Sequence, residues 1–128
     1  MSIPKKRYEV RKNDMNVLMN PKVRFEYAGL FQSTGEWIHP ARVEKTWEII
    51  CVTRGEAWIE EGDREYCVKK GQALLLSPQT EHKGTRPSRD MGFYWVHFHA
   101  DEGVFFEARY FEKFEQISLF KELLHYNN

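Results

Sequence analysis

At 128 residues, with 19 basic and 19 acidic side chains, the chain is long enough for one hydrophobic core and carries no net positive charge. A surface that grips DNA by itself needs an excess of Lys and Arg to displace counterions from phosphates, so no nucleic-acid binding by this chain itself is expected. No run approaches the ~20 apolar residues of a membrane span, and no apolar N-terminal stretch marks a secretory signal, so no membrane partner and a cytoplasmic setting are expected.

Residues 1–20 mix charge with isolated apolar positions and sustain no period, so they read as an N-terminal arm. The charge along the chain is uneven. Residues 1–24 hold seven Lys/Arg against Glu9 and Asp14, whereas residues 99–128 hold six acidic against three basic side chains. A solvated basic arm and an arm that touches a partner both fit this pattern.

From residue 21 the pattern becomes that of β-structure. Residues 23–31 alternate apolar with other side chains and are rich in aromatics, which suits a half-buried strand. Residues 32–45 read as a loop or an irregular strand. Residues 46–54 form a strand ended by Gly55, and 57–60 and 64–69 flank Glu61-Gly62-Asp63 as a hairpin whose glycine can take the positive φ a tight turn requires. Residues 73–76 (ALLL) are a short buried strand stopped by Pro78, which cannot donate to a ladder. Residues 79–91 read as loop, and 92–99 as the last long strand. Six or seven short strands with regular turn signals are the spacing of a sandwich or small barrel. A helical period appears only near the end, where Ser118 can cap 119–125 and Leu119, Leu123, Phe120 and Leu124 offer an apolar face. Cys51 and Cys67 lie in strands without zinc-site spacing or a disulfide framework and read as small core residues.

Two segments taken together resemble the paired motifs of the cupin superfamily. Glu48 through Gly55 (EIICVTRG) matches the glutamate-to-glycine half of the first motif. Gly71 through His82 (GQALLLSPQTEH) is similar to the second, with its glycine, apolar strand, proline and histidine. With Phe93-Tyr94-Trp95-Val96-His97-Phe98 following, residues 40–100 resemble the N-terminal ligand-binding domain of AraC-type regulators. The resemblance implies an all-β, cupin-like jelly-roll barrel over residues 21–116, and a C-terminal interface helix beginning at 117–128. It also departs from the metal-binding pattern. Enzymatic cupins carry a His-x-His pair ahead of the glutamate, where this chain has Arg42 and Glu44, with His39 nearby at the wrong spacing. Glu48 and His82 alone would hold a divalent ion weakly. No metal and no cofactor are therefore expected.

Side chains alternate faces along a strand, so an inward Glu48, as the resemblance implies, carries Ile50 and Val52 with it, while Trp47, Ile49 and Cys51 face out. On the last strand Phe93, Trp95 and His97 share one face, which lines the pocket in AraC-type sensors. The expected ligand-binding set is therefore Arg42, Glu48, His82, Phe93, Trp95 and His97, with His82 at the pocket mouth and no catalytic residue. Each has a plainer alternative: Trp95 as core, His82 as a loop cap, and Glu48 at a barrel end. An inward Glu48 needs a partner, with Arg42 or His82 the first to check, because an unpaired buried carboxylate is costly. A Trp wall with a few fixed polar groups suits a small polar ligand such as a sugar.

The resemblance thus implies an effector-sensing domain that binds a small molecule, pairs as a homodimer and signals to helix-turn-helix units outside these 128 residues. A cupin metalloenzyme, either an oxygenase or a sugar isomerase, and an interaction module with a filled barrel are the competing functions.

Overall fold

The computed structural model describes residues 22–115 and 117–126, so the expected arm over residues 1–20 lies outside the described residues. Among the described residues there are ten strands: β1 (Val23–Gln32), β2 (Glu36–Trp37), β3 (Trp47–Arg54), β4 (Glu56–Glu61), β5 (Arg64–Lys69), β6 (Ala73–Leu76), β7 (His82–Gly84), β8 (Ser88–Arg89), β9 (Gly92–Ala100) and β10 (Tyr110–Phe111). A helix, α1 (Ile117–Leu123), and a 3-10 turn (Leu124–Tyr126) close the described chain. The strands form a five-stranded sheet in the order β1-β9-β3-β6-β10, a three-stranded sheet β5-β4-β7 and the small pair β2-β8. Every strand pair is antiparallel. The fold is an all-β, cupin-like barrel with one short C-terminal helix.

Alternation divides the apolar residues into two clusters. Ile50 and Val52 of β3, Leu74 and Leu76 of β6, and Phe93 of β9 point inward and meet Ala57, Ile59 and Val68 of the three-stranded sheet. The outward residues Cys51, Ala73, Tyr94 and Val96 meet Phe120 of α1. The inward set on β3 and the outward Ile49 and Cys51 follow the expected period of two.

Several expectations need correction. The stretch 32–45 is the irregular-strand alternative, with β2 pairing with β8, whereas 79–91 is more than loop: β7 joins the edge of β4, and His82 forms an isolated bridge with Arg42 through two 2.9 Å backbone hydrogen bonds. Strands of two or three residues are too short to show any period. Ser118 is no N-cap, because α1 starts before it, at Ile117. Phe120, only 3% exposed, anchors the helix, whereas Leu119 stays 47% exposed. Cys51 is buried as expected, but Cys67 is half-buried. It faces out from β5, paired with Trp58 of β4. No described helix is long and apolar enough to cross a membrane.

Candidate functional site

One end of the barrel interior is open, and a cavity of about 420 Å³ remains there. Its wall is set by strand register. Glu48 on β3 lies beside His97 on β9, Ile50 beside Trp95, and Val52 beside Phe93. On the other side of β9, Tyr27 lies beside His97, Gly29 beside Trp95, and Phe31 beside Phe93. A register shift between Phe25 and Tyr27 lets both orientations occur on β1: Phe25 joins the outer cluster while Tyr27 and Phe31 line the cavity. Such a bulge leaves one residue unpaired and re-aims its neighbours.

The aromatic lining forms two groups. Phe31, Trp37 and Phe93 stand 4.7–5.8 Å apart between centroids. Tyr27 stacks on His97 at 4.7 Å and meets the Trp95 ring edge-on at 5.4 Å. Trp95 can lie flat against β1 because its cross-strand neighbour has no side chain: a Cβ on Gly29 would fall 2.1 Å from Trp95 Cζ2. Facing these rings, the segment between β2 and β3 contributes His39, Pro40, Arg42 and Glu44.

The polar floor is a linear arrangement centred on Glu48, which is 6% exposed. One carboxyl oxygen lies 3.7 Å from His82 Nε2 and the other 3.6 Å from His97 Nε2. Thr46 Oγ1 bonds His97 Nδ1 at 2.7 Å and so turns the opposite nitrogen toward Glu48. His39 Nδ1 donates to the Pro40 carbonyl at 2.7 Å, which leaves its Nε2 as the acceptor. Burial pushes the Glu48 carboxyl up to about 7; the negative charge of Glu44 adds to this and Arg42 opposes it. Burial, then the neighbouring His39, Arg42 and His97, holds His82 down to about 4. His39 and His97 are lowered too, in each case by burial first. The three imidazoles are therefore neutral near pH 7, and their approach to Glu48 is a contact between dipoles and a carboxyl group rather than a pair of ion bridges.

Five of the six expected residues, Arg42, Glu48, Phe93, Trp95 and His97, line the cavity. His82 does not sit at its mouth. It is 1% exposed beneath the floor, pinned by the backbone bridge to Arg42 and covered by the His39 ring at 5.1 Å. Neither His82 ring nitrogen has a hydrogen-bond partner among the described residues. Glu48 has two imidazoles for neighbours, and Arg42 acts on it through charge alone.

The family of the AraC-like ligand binding domain matches residues 24–108, which span β2 to β9, all of β1 but its first residue, and every residue lining this cavity. The chain belongs to that family. This AraC-like domain is also 38% identical over 61 residues, 47% of its length, to the HTH-type transcriptional regulator YisR of Bacillus subtilis. The matched stretch spans about a fifth of that relative's length, 21%. Among solved structures it matches the cupin domain of Schizosaccharomyces pombe Cnp3, with TM-score 0.47, 11% identity, and coverage of 64% of this chain and 67% of that one. It also matches a deletion variant of Bacillus subtilis oxalate decarboxylase OxdC, with TM-score 0.47, 14% identity, and coverage of 80% and 26%.

Sequence reasoning missed Tyr27, Phe31, Trp37, His39 and Glu44 as lining residues of the AraC-like domain. A usable signal was present in Trp37-x-His39-Pro40-x-Arg42-x-Glu44, where aromatic, imidazole and charged residues alternate just ahead of the first motif. Among the described residues no group of three or more His, Cys, Asp or Glu side chains is arranged to hold a metal ion.

Proposed function

We propose that this ligand-binding domain is the sensor of a cytoplasmic transcription regulator rather than an enzyme, and that its effector is a small, hydroxyl-rich compound of the sugar or sugar-acid class. The observation that carries the reading is the two-sided cavity. Aromatic rings form one wall, and opposite them stand Arg42 and Glu44, whose side chains enter no ion pair among the described residues. Indole and phenol faces cover the C–H face of a ring-shaped guest. A guanidinium fork and carboxyl groups bond hydroxyls around its edge. A volume of about 420 Å³ sits within the range of small-molecule sites, about 300–1,000 Å³.

In this reading Arg42, Glu48, Trp95, Phe93 and His97 contact the effector, and His82 supports Glu48 from below. DNA contact belongs to a helix-turn-helix region outside this chain, and α1 contributes to a homodimer. The effector acts by favouring one of two arrangements of the parent protein, which requires contacts that differ between them.

A thermal-shift screen of sugars, sugar acids and aromatic acids tests the reading. A ligand held by the folded state at a hundredfold excess over Kd stabilises by about 2.7 kcal/mol. The expected result is a sugar or sugar acid whose shift is lost in Trp95→Ala and Arg42→Ala. A hit confined to aromatic acids would replace the sugar class. Stoichiometric iron, manganese or zinc in protein purified without chelators would return the metalloenzyme alternative.

A further inference from the structure

The Thr46 hydroxyl is a buried polar group to which the sensor reading assigns no part. Thr46 directly precedes β3 and lies two residues from Glu48, so on extended backbone the two side chains face the same way, toward His97, which stands across from Glu48 on β9. The His97 ring is held in its plane by two neighbours: Tyr27 stacks on it with an interplanar angle of 4°, and Trp95 meets it at 82°. With the ring so placed, Thr46 Oγ1 reaches Nδ1 at 2.7 Å in a buried bond. The other nitrogen, Nε2, faces the Glu48 oxygen Oε2 at 3.6 Å, just beyond hydrogen-bond length.

Hydrogen-bond counting decides which way the Thr46 bond runs. Among the described residues the Thr46 hydroxyl bonds His97 alone. A hydroxyl carries one hydrogen as well as its lone pairs. If Nδ1 donated to it, that hydrogen would be buried without an acceptor, a cost the reverse bond avoids. Thr46 therefore donates, Nδ1 accepts, and the hydrogen of the neutral imidazole sits on Nε2, aimed at Glu48 Oε2. This makes Oε2 an acceptor. Any hydrogen on the carboxyl group then belongs on Oε1, which faces His82 Nε2 at 3.7 Å beneath the floor, where that nitrogen has no hydrogen-bond partner among the described residues. With or without that hydrogen, the carboxyl group turns lone pairs toward the cavity.

We propose that Thr46 is the positioning residue that sets what the cavity floor recognises: by donating to His97 Nδ1 it commits Nε2–H to Glu48, so the floor takes a hydroxyl or N–H hydrogen of a guest and turns away a carbonyl or carboxylate oxygen. This deepens the sensor reading, on which it rests for the presence of a guest. An acceptor-only group placed on the floor meets lone pairs and gains no hydrogen bond, and discrimination of this kind comes from the unpaired group as much as from the paired one. A sugar acid is thereby oriented, with a hydroxyl toward Glu48 and its carboxylate toward Arg42.

Nitrogen NMR of the imidazoles in the full chain tests the tautomer with no guest present, so its outcome is separate from that of the sensor reading. The parent is expected to carry the His97 hydrogen on Nε2, with Nδ1 shifted as a hydrogen-bond acceptor. Thr46→Ser should keep that shift, and Thr46→Val should move it to the position of a free lone pair. A hydrogen on Nδ1, or an Nδ1 resonance indifferent to Thr46→Val, overturns the proposal; the parent and Thr46→Ser spectra decide it if Thr46→Val does not fold. Recognition is tested by titrating cyclohexanol and cyclohexanone, followed at the Trp95 indole N–H. The alcohol is expected to bind roughly fivefold tighter, the usual contribution of one net hydrogen bond, and the difference should vanish in Glu48→Met. Equal binding of the two, binding of neither, or a difference that persists in Glu48→Met overturns the floor preference and leaves the sensor reading to its own thermal-shift screen.

Discussion

The inner and outer faces of the five-stranded sheet are built from alternate residues of the same strands, yet they carry opposite chemistry. Along β9, Phe93, Trp95 and His97 face a cavity with a carboxyl group at its floor, while Tyr94, Val96 and Phe98 face a surface lined by carbon. The inner face leaves room beside buried polar groups that lack full hydrogen bonding, an arrangement that costs stability and is kept where a guest completes it. The outer face carries a hollow lined almost throughout by carbon and gains its stability by being covered. The period-two geometry of a strand thus lets a single sheet act as chamber wall and as packing face for α1, provided that each face can be changed without disturbing the other.

The largest test of that independence is Phe120→Ala. Its ring is buried against Tyr94 and Phe114, with centroids 5.7 Å from each. Deleting a buried phenyl ring costs about 3–5 kcal/mol. Urea melts should show this loss, and hydrogen exchange should rise in α1 and the outer ends of β1 and β9, while effector affinity changes less than twofold. Loss of effector binding in parallel would mean that the two faces are one cooperative unit.

The inner face should reveal itself through pH. Glu48 in the folded protein titrates near 7 instead of 4.5, so the folded state holds more protons than the unfolded chain in that window and loses stability as pH rises through it. His82 titrates near 4 instead of 6.5, so the folded state holds fewer protons there and gains stability as pH rises from 4 to 6.5. The two slopes oppose each other between pH 4.5 and 6.5. Glu48→Gln removes the first slope and leaves the second, so the variant should gain on the parent as pH rises, by on the order of 3 kcal/mol at pH 8. Melts at half-unit pH steps check this. A variant that runs parallel to the parent would show that Glu48 ionises as it does in water.

The inner residues of β3 and β9 were legible because long strands display their period: Glu48, Ile50 and Val52, and Phe93, Trp95 and His97, fall on one face as alternation requires. Tyr27 and Phe31 were hidden by the register shift after Phe25, since strict alternation places Phe25 and Tyr27 on the same face. Trp37 and His39 were hidden because β2 has only two residues and its partner β8 is far away in sequence, with Trp37 paired to Ser88; no local pattern encodes such a pairing. His82 illustrates a different limit. Its motif position was readable, but its depth follows from the bridge to Arg42 and the ring of His39, which close over it from another part of the chain. Local chemistry specified which residues are inward, and long-range closure decided how far in they lie.

The smallest expected effect separates the two faces within β1 alone. Gly29 points inward beneath Trp95, and Leu30, the next residue, points outward and is 41% exposed. Gly29→Ala would place a methyl group 2.1, 2.5 and 2.9 Å from three atoms of the indole, a rigid ring that cannot bend aside as the end of a flexible chain can. Trp95 must then swing into the cavity, at an overpacking cost of about 1–3 kcal/mol. Effector binding should fall at least tenfold, and Trp95→Leu added to Gly29→Ala should recover much of the lost stability but not the affinity, because the ring is then absent. Leu30→Ala should change stability by no more than about 0.5 kcal/mol and leave binding untouched. Equal effects at the two positions would show that Trp95 already has freedom to move away from β1, and that the cavity depth is set by something other than the missing side chain at Gly29.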